Sequence, residues 1–153
     1  MDAEVIKRFR ERVRQVGQEL GWSQRNDIQC CGVTMAQCHA LLAIGERKEI
    51  CIVELAAILG VDTSNLSRTV DTMVKGGLLN RLLNPQDRRY VSLTLTDEGQ
   101  EAFDTIEHLF NVYLARVFEF IPDDKHLQIV ESLDLVAGAL EQCGKKYRCC
   151  GSE

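Results

Sequence analysis

The stretch IVELAAILGVDTSNLSRTVDTMVKGGLLNRLLNPQDRRYVSLTLT, residues 52–96, decides the fold of this chain of 153 residues. The apolar residues before Gly60 follow a helical period, and a glycine at that point allows a helix to end in a left-handed conformation. Asp62 suits the N-cap of a second helix, which Gly76 and Gly77 bring to an end. The inner stripe of that helix consists of Leu66, Val70, Met73 and Val74. The pattern therefore predicts two short helices joined by a tight turn.

Two β-prone runs follow these helices, at Leu79–Leu83 and at residues 90–95. The linking segment, Asn-Pro-Gln-Asp, consists of turn-forming residues, so the two runs are expected to pair as an antiparallel hairpin. Arg88 and Arg89 are expected at its protruding tip. Thr96 then stands where the N-cap of a long helix belongs, because the acidic residues that follow it complement the helix dipole.

Apolar helical patterns also occupy both ends of the chain. In the first twenty residues the apolar positions recur every three or four residues and form one stripe, which consists of Val5, Ile6, Phe9, Val13, Val16 and Leu20. Residues 21–32 are polar and lack this period, so they are predicted to form a connector. Thr34 and Gln37 then open another helix with a capping box. Two further apolar helices are predicted after Thr96, and one small lobe cannot bury all their apolar residues.

These patterns predict a mainly α-helical fold with a small β-hairpin wing. Residues 34–96 are expected to form a winged helix-turn-helix lobe. Residues 1–33 and 97–153 are expected to form a helical dimerisation lobe, built from the N- and C-terminal helices. The surplus apolar surface at both ends is best explained by a two-fold homodimer.

The composition excludes several classes of protein. No run approaches the roughly 18 apolar residues of a membrane span, and the N-terminus lacks the layout of a secretory signal, so a cytoplasmic location is expected.

The formal net charge of −5 does not favour a polyanion partner. The charge is uneven, however, since Lys and Arg outnumber Asp by five to two between residues 63 and 89, whereas Asp and Glu dominate from residue 90 onward. This distribution fits either a basic DNA-binding patch on an acidic body or ordinary surface charge.

The second helix of the 52–96 segment carries small polar and basic side chains that suit contact with DNA. A helix fits the major groove, where the base edges display an unambiguous hydrogen-bonding pattern. At the hairpin tip, Arg88 and Arg89 suit the negative potential of a narrow minor groove, and Asp87 is expected to hold a neighbouring arginine in place. The alternative is a solvated polar helix followed by a solvated turn. The helix residues expected to contact DNA are Ser64, Asn65, Ser67, Arg68 and Thr69.

The same residues resemble the MarR family of winged-helix regulators. The resemblance implies a homodimer on a pseudo-palindromic operator, usually a repressor of nearby genes, with Arg89 entering the minor groove and Asp87 bracing it. It also implies that effectors bind between the dimer lobe and the DNA-binding lobe. The motifs that carry it are VELAAILGV at residues 53–61, NLSRTVD at 65–71, GGLL at 76–79, NPQDRR at 84–89 and LTLTDEG at 93–99.

Seven cysteines are the other unusual feature, and four of them form the adjacent pairs Cys30-Cys31 and Cys149-Cys150. Adjacent cysteines do not easily bond to each other, because their Cα atoms lie about 3.8 Å apart, whereas disulfides prefer at least about 4.4 Å. Paired thiolates instead offer soft ligands, which favour zinc, monovalent copper and, by extension, mercury, lead or arsenite. Cys38 is a candidate third ligand. The dimer plan implied by the resemblance would bring the two pairs together across the interface.

Three interpretations of the thiols stay open: soft-metal or metalloid sensing, oxidant sensing through Cys30 or Cys31 with a partner cysteine in the C-terminal tail, and no regulatory role. A repressor of this fold that responds to a small aromatic ligand is a further alternative. A thiol enzyme or metal-handling protein would be a different class, but the sequence lacks a convincing catalytic arrangement of Cys, His and carboxylate and a phosphate-binding glycine loop. The sequence therefore predicts a non-enzymatic DNA-binding regulator, released from its operator by a soft metal or metalloid.

Overall fold

The computed structural model describes the backbone of residues 2–83 and 91–146, and the side chains of residues 2–21, 32–82 and 91–143. Six α-helices, three strands and one short 3-10 helix occupy these ranges. In chain order they are α1 (Ala3–Cys31), α2 (Met35–Arg47), β1 (Ile50–Cys51), α3 (Ile52–Leu59), α4 (Thr63–Lys75), β2 (Leu79–Leu83), β3 (Val91–Leu95), α5 (Asp97–Phe118), the 3-10 helix (Asp123–Lys125) and α6 (His126–Lys146). None of the helices in the described ranges combines the length and apolar character that a membrane crossing needs.

The chain divides into two compact units, Met1–Phe110 and Asn111–Glu153. The first unit holds α1 to β3 and the first half of α5, and the second holds the rest. The predicted fold class, mainly α-helical with a small β wing, is confirmed. The predicted lobe boundaries depend on a second copy of the chain and stay a prediction.

The core of the first unit lies where α2, α3, α4 and the sheet meet. Leu41 and Ile44 of α2, Leu55 of α3 and Val70 of α4 are all fully buried in one cluster. The α2 residues belong to a helix that begins with the predicted capping box, in which the Thr34 hydroxyl and the Gln37 side chain each accept a backbone hydrogen bond from the other residue. α3 and α4 are thus the two predicted helices joined by a tight turn, and they share one apolar centre with α2.

The turn between α3 and α4 follows the sequence prediction closely. Gly60 ends α3 with φ at 65°, which glycine adopts without the steric cost of a Cβ. Asp62 then caps α4, because its Oδ1 accepts hydrogen bonds of 3.0 Å from the backbone N–H groups of Ser64 and Asn65. Both helix ends at this turn are thereby fixed by local hydrogen bonding and backbone conformation.

The sheet has one strand more than the hairpin that the sequence predicts. β2 pairs with β3 in antiparallel register from Leu79↔Leu95 to Leu83↔Val91, which confirms the hairpin strands. β1 adds two residues on the other side of β3, where Ile50 pairs with Leu93. A strand of two residues is too short to show the alternation by which strands are recognised in a sequence.

The start of α5 is tied to the end of α4 by a compact junction. The Thr96 hydroxyl donates to the carbonyl of Gly77 at 2.5 Å and accepts from the backbone N–H of Gly99 at 2.9 Å. A Cβ on Gly99 would stand 2.0 Å from the carbonyl oxygen of Leu78, so only glycine fits there. Thr96 is thus the predicted N-cap, and it also fixes where the hairpin joins the helix.

The predicted connector at residues 21–32 is wrong. α1 continues as a helix to Cys31 and ends at Gly32, where φ is 68°. Residues 22–31 contain no proline, and polar residues such as Gln and Arg have good helix propensity. The missing apolar period therefore does not indicate a break in the helix.

The N-cap of α4 makes stability depend on pH in a predictable direction. The backbone N–H of Asn65, followed by other hydrogen bonds within the cap, holds the pKa of Asp62 below its ordinary value of 3.8 and outweighs the opposing effect of desolvation. The charged cap therefore stabilises the fold above the pKa of the unfolded chain, and this contribution is lost as pH falls through the lower folded pKa. We expect Asp62→Ala to lower Tm at pH 7 by about 2–4 °C in thermal unfolding followed by circular dichroism.

The deficit of Asp62→Ala relative to the parent should shrink below pH 3.8 as the parent's carboxylate is neutralised. Asp62→Asn is the matched control, because the amide oxygen still caps the helix but does not ionise. A deficit of constant size from pH 7 to acid unfolding would contradict the role of the charged cap.

Candidate nucleic-acid interface

One face of α4 is exposed along its whole length. Ser64, Arg68, Asp71 and Lys75 are spaced four, three and four residues apart, which places them in one line on a helix of 3.6 residues per turn. All four are exposed, and we call them the outward row. The opposite face is anchored in the core by Leu66, Val70 and Met73.

The other predicted contact residues of α4 flank the outward row. Asn65 is exposed on one side, and its side-chain amide donates to the second carboxylate oxygen of the Asp62 cap. Thr69 lies one turn further along the same flank and is half-buried. Ser67 is half-buried on the other flank, where its hydroxyl donates to the carbonyl of Thr63 at 2.7 Å. The structure therefore brings Ser64 and Arg68 to the most accessible positions and makes Ser67 and Thr69 less accessible.

An ion pair joins the outward row to the hairpin. The guanidinium Nη2 of Arg81, in β2, lies 2.6 Å from Oδ1 of Asp71, and the two side chains are 39% and 50% exposed. Within the described ranges, it is the one ion pair that joins residues more than three positions apart in the sequence. This contact was not predicted from the sequence, because the two residues are ten positions apart and meet only when the hairpin folds onto α4.

The hairpin carries the predicted minor-groove residues. The last pair of its ladder is Leu83↔Val91, and residues 84–90 link the two strands in the sequence. Asp87, Arg88 and Arg89 belong to that segment and lie outside the described residues. Their predicted contacts with DNA stay a prediction.

A cleft of about 320 Å³ opens beside the outward row. His39 of α2 and Asn65 and Thr69 of α4 supply its polar lining, and the remaining residues are apolar. A small molecule held there would touch the same flank of α4 that is predicted to face DNA. The apolar lining residues are Ala36, Leu59, Val61 and Leu66.

The cysteines within the described side chains do not form a metal centre. Cys38 is fully buried in the core, so a metal ion would reach this predicted third ligand only if α2 moved. Cys51 caps α3 by accepting a hydrogen bond from the N–H of Glu54 at 3.4 Å. No group of three or more His, Cys, Asp or Glu in the described part of the chain is placed to hold a metal ion.

The paired cysteines lie at the limits of the described structure. The backbone places Cys30 and Cys31 in the last turn of α1, but their side chains are outside the described residues. Cys149 and Cys150 lie beyond the last described residue of α6. Metal binding by these pairs therefore stays a prediction.

Comparison with known proteins agrees with this geometry. The sequence pattern of the MarR family matches residues 33–91, which include α2, the α3–α4 turn and β2. The HTH-type transcriptional repressor MdtR of Bacillus subtilis is 29% identical over 110 residues, which cover 72% of this chain and 71% of MdtR.

Solved structures extend the similarity to nearly the whole chain. A MarR family protein from Bacillus stearothermophilus superposes with a TM-score of 0.85 at 19% identity, over 92% of this chain and 99% of that one. A cysteine-to-serine mutant of Escherichia coli MarR, crystallised with operator DNA, gives a TM-score of 0.70 at 27% identity, over 89% of this chain and 99% of that one. Residues 33–91 thus match the MarR family, and the chain is similar in fold, over nearly its whole length, to winged-helix DNA-binding transcriptional regulators of that family.

Proposed function

We propose that this regulator is a homodimeric repressor, which places α4 of each subunit in the major groove of a pseudo-palindromic operator. The observation that carries the proposal is the outward row of α4, exposed along the helix while the opposite face is locked in the core. A helix held in this way can enter a groove without losing its packing. The crystal structure of E. coli MarR in complex with operator DNA supports DNA as the partner of this similar fold.

Charge supports the choice of partner. Arg68 and Lys75 of the outward row are exposed, and Arg68 has no ion-pair partner among the described residues. The single acidic residue of the row, Asp71, is already paired with Arg81. This face therefore offers positive charge to a phosphate backbone, although the whole chain is acidic.

Exposed apolar side chains support the homodimer. The apolar stripe of α1 leaves Val5, Phe9 and Val16 between 49% and 58% exposed. In the second unit, Leu127 and Leu133 of α6 are 78% and 59% exposed. Monomeric proteins rarely leave such apolar surface exposed to water. Burial against a second copy of the chain is the simplest explanation for it.

The effector is proposed to be a soft metal or metalloid, such as arsenite, mercury, lead or zinc, bound by Cys30 and Cys31. Their position in the last turn of α1 supports this, because α1 carries the apolar stripe of the proposed dimer. Binding there can alter the spacing of the two α4 helices, which must lie about 34–36 Å apart to enter successive grooves. Oxidation of the same thiols by peroxide would act at the same place.

A small organic effector is the second candidate, and the cleft favours it. Its three polar side chains and apolar walls suit a compact, mostly apolar molecule with one hydrogen-bonding group. The relatives are transcriptional regulators, so a thiol enzyme on this scaffold is not proposed.

Loss of a predicted arginine contact should weaken specific DNA binding. We expect Arg68→Ala and Arg89→Ala each to lower affinity for a fragment from upstream of the chain's own gene by about 1–3 kcal/mol, because each removes a charged contact to a base or groove. Fluorescence anisotropy with an unrelated duplex as reference measures this. Arg116→Ala, which removes the same charge from the second unit, should bind like the parent. Unchanged affinity in both interface variants would contradict the proposed interface.

A charge placed in the apolar stripe of α1 should separate the subunits. We expect Phe9→Glu to shift the chain from dimer to monomer in sedimentation experiments, since two-fold symmetry buries the new carboxylate twice. Gln18→Glu is the matched control, because Gln18 lies on the far side of the same helix and is exposed. A parent that sediments as a monomer at micromolar concentration, or a Phe9→Glu variant that stays dimeric, would contradict this use of the stripe.

The thiol proposal is tested by titrating arsenite, mercury, lead, zinc and peroxide against the protein–DNA complex. We expect at least one of these agents to release the parent from DNA and to leave the Cys30→Ser/Cys31→Ser double variant bound, because serine is a poor soft-metal ligand. Cys143→Ser is the control for an exposed cysteine elsewhere. Equal release of the parent and the double variant by every agent would remove this pair from the sensing mechanism.

A further inference from the structure

We propose that Arg81 is a positioning residue, which holds the carboxylate of Asp71 away from Arg68 and Lys75 so that these two cations stay available to DNA. The inference rests on the proposed DNA-binding function and deepens it. It assigns a role to a residue outside the recognition helix and outside the wing tip.

Asp71 is placed where a carboxylate would impair DNA binding. It stands in the middle of the outward row, three residues after Arg68 and four residues before Lys75. Side chains at these spacings are neighbours on a helix and form ion pairs with each other. An unpaired Asp71 would therefore pair with one of the two cations or face the phosphates as a negative charge.

The ion pair with Arg81 removes this conflict. Arg81 lies opposite Leu93 in the hairpin ladder and two residues after Leu79, and both of these leucines are buried. Residues at these positions share one face of a sheet, so the Arg81 side chain leaves β2 on the buried side, where β2 packs against α4. From there its guanidinium Nη2 lies 2.6 Å from Oδ1 of Asp71 in the outward row.

The alternative is that Arg81 binds a phosphate directly. In that case its loss would remove one phosphate contact, which no change at Asp71 would restore. If Arg81 acts through Asp71, however, neutralising Asp71 makes Arg81 unnecessary. The ion pair is partly exposed, and such pairs contribute little to folding, so variants lacking it should remain folded.

The test compares the parent with Arg81→Gln and with the double variant Arg81→Gln/Asp71→Asn. Dissociation constants for the upstream fragment and for an unrelated duplex are measured between 50 and 200 mM salt, roughly the range over which phosphate contacts are resolved. We expect Arg81→Gln to bind the upstream fragment about tenfold more weakly, and the double variant to recover most of that loss with the salt dependence of the parent. Arg81→Lys, which keeps the charge, should bind nearly as well as the parent.

Two outcomes would overturn the inference. A double variant as weak as Arg81→Gln, with a log–log salt slope smaller by about 0.9 for each lost contact, would make Arg81 a phosphate ligand. An Arg81→Gln variant that binds like the parent would remove any role for this residue. Failure of the proposed function gives a different result, because the parent itself would then bind the upstream fragment no more tightly than the unrelated duplex. Thermal unfolding of each variant separates loss of binding from loss of fold.

Discussion

The burial of one face of α4 is the constraint on which the rest of the structure depends. Leu66, Val70 and Met73 are held against α2, α3 and the sheet, so the helix does not rotate about its axis without exposing them. The direction in which the polar residues on the other side of the helix point is therefore set by the packing of the buried face. Because the outward row is fixed, a single ion pair between Asp71 and the neighbouring strand is enough to leave the positive charges of the row available to DNA.

A few local contacts also fix the two ends of α4. Asp62 fixes its start, Gly77 turns the chain toward the hairpin with φ at 76°, and Thr96 ties the hairpin back to that turn. The hairpin is thus attached to α4 by the short chain segment at Gly77, by the Thr96 hydrogen bond and by one ion pair. If the proposed dimer lobe moved one helix-turn-helix unit, the hairpin would move together with that unit. A switch based on the spacing of two DNA-binding units requires such a joint movement.

The sequence predicted the elements whose signals are local. The caps at Thr34, Asp62 and Thr96 and the glycine at the end of α3 were recognised because each depends on residues within a few positions. Contacts between distant residues were not recognised: β1 shows no period in two residues, and the Asp71–Arg81 pair forms only after β2 packs on α4. The connector predicted at residues 21–32 was wrong for a different reason, since a polar sequence without an apolar period can still form a helix. The motifs pointed to the polar residues of α4 as DNA contacts, but sequence did not predict that Ser67 and Thr69 are partly covered.

Hydroxyl-radical footprinting of the DNA upstream of the chain's own gene tests the central claim most directly, because it reports both the groove contacts and the symmetry of the bound protein. We expect two equivalent protected regions, whose centres lie about 10–10.5 base pairs, or one helical turn, apart. Both regions should disappear together when the protein is diluted below its dimerisation range. A single protected region, or protection that does not depend on sequence, would contradict a paired molecule with one α4 helix in each of two successive major grooves.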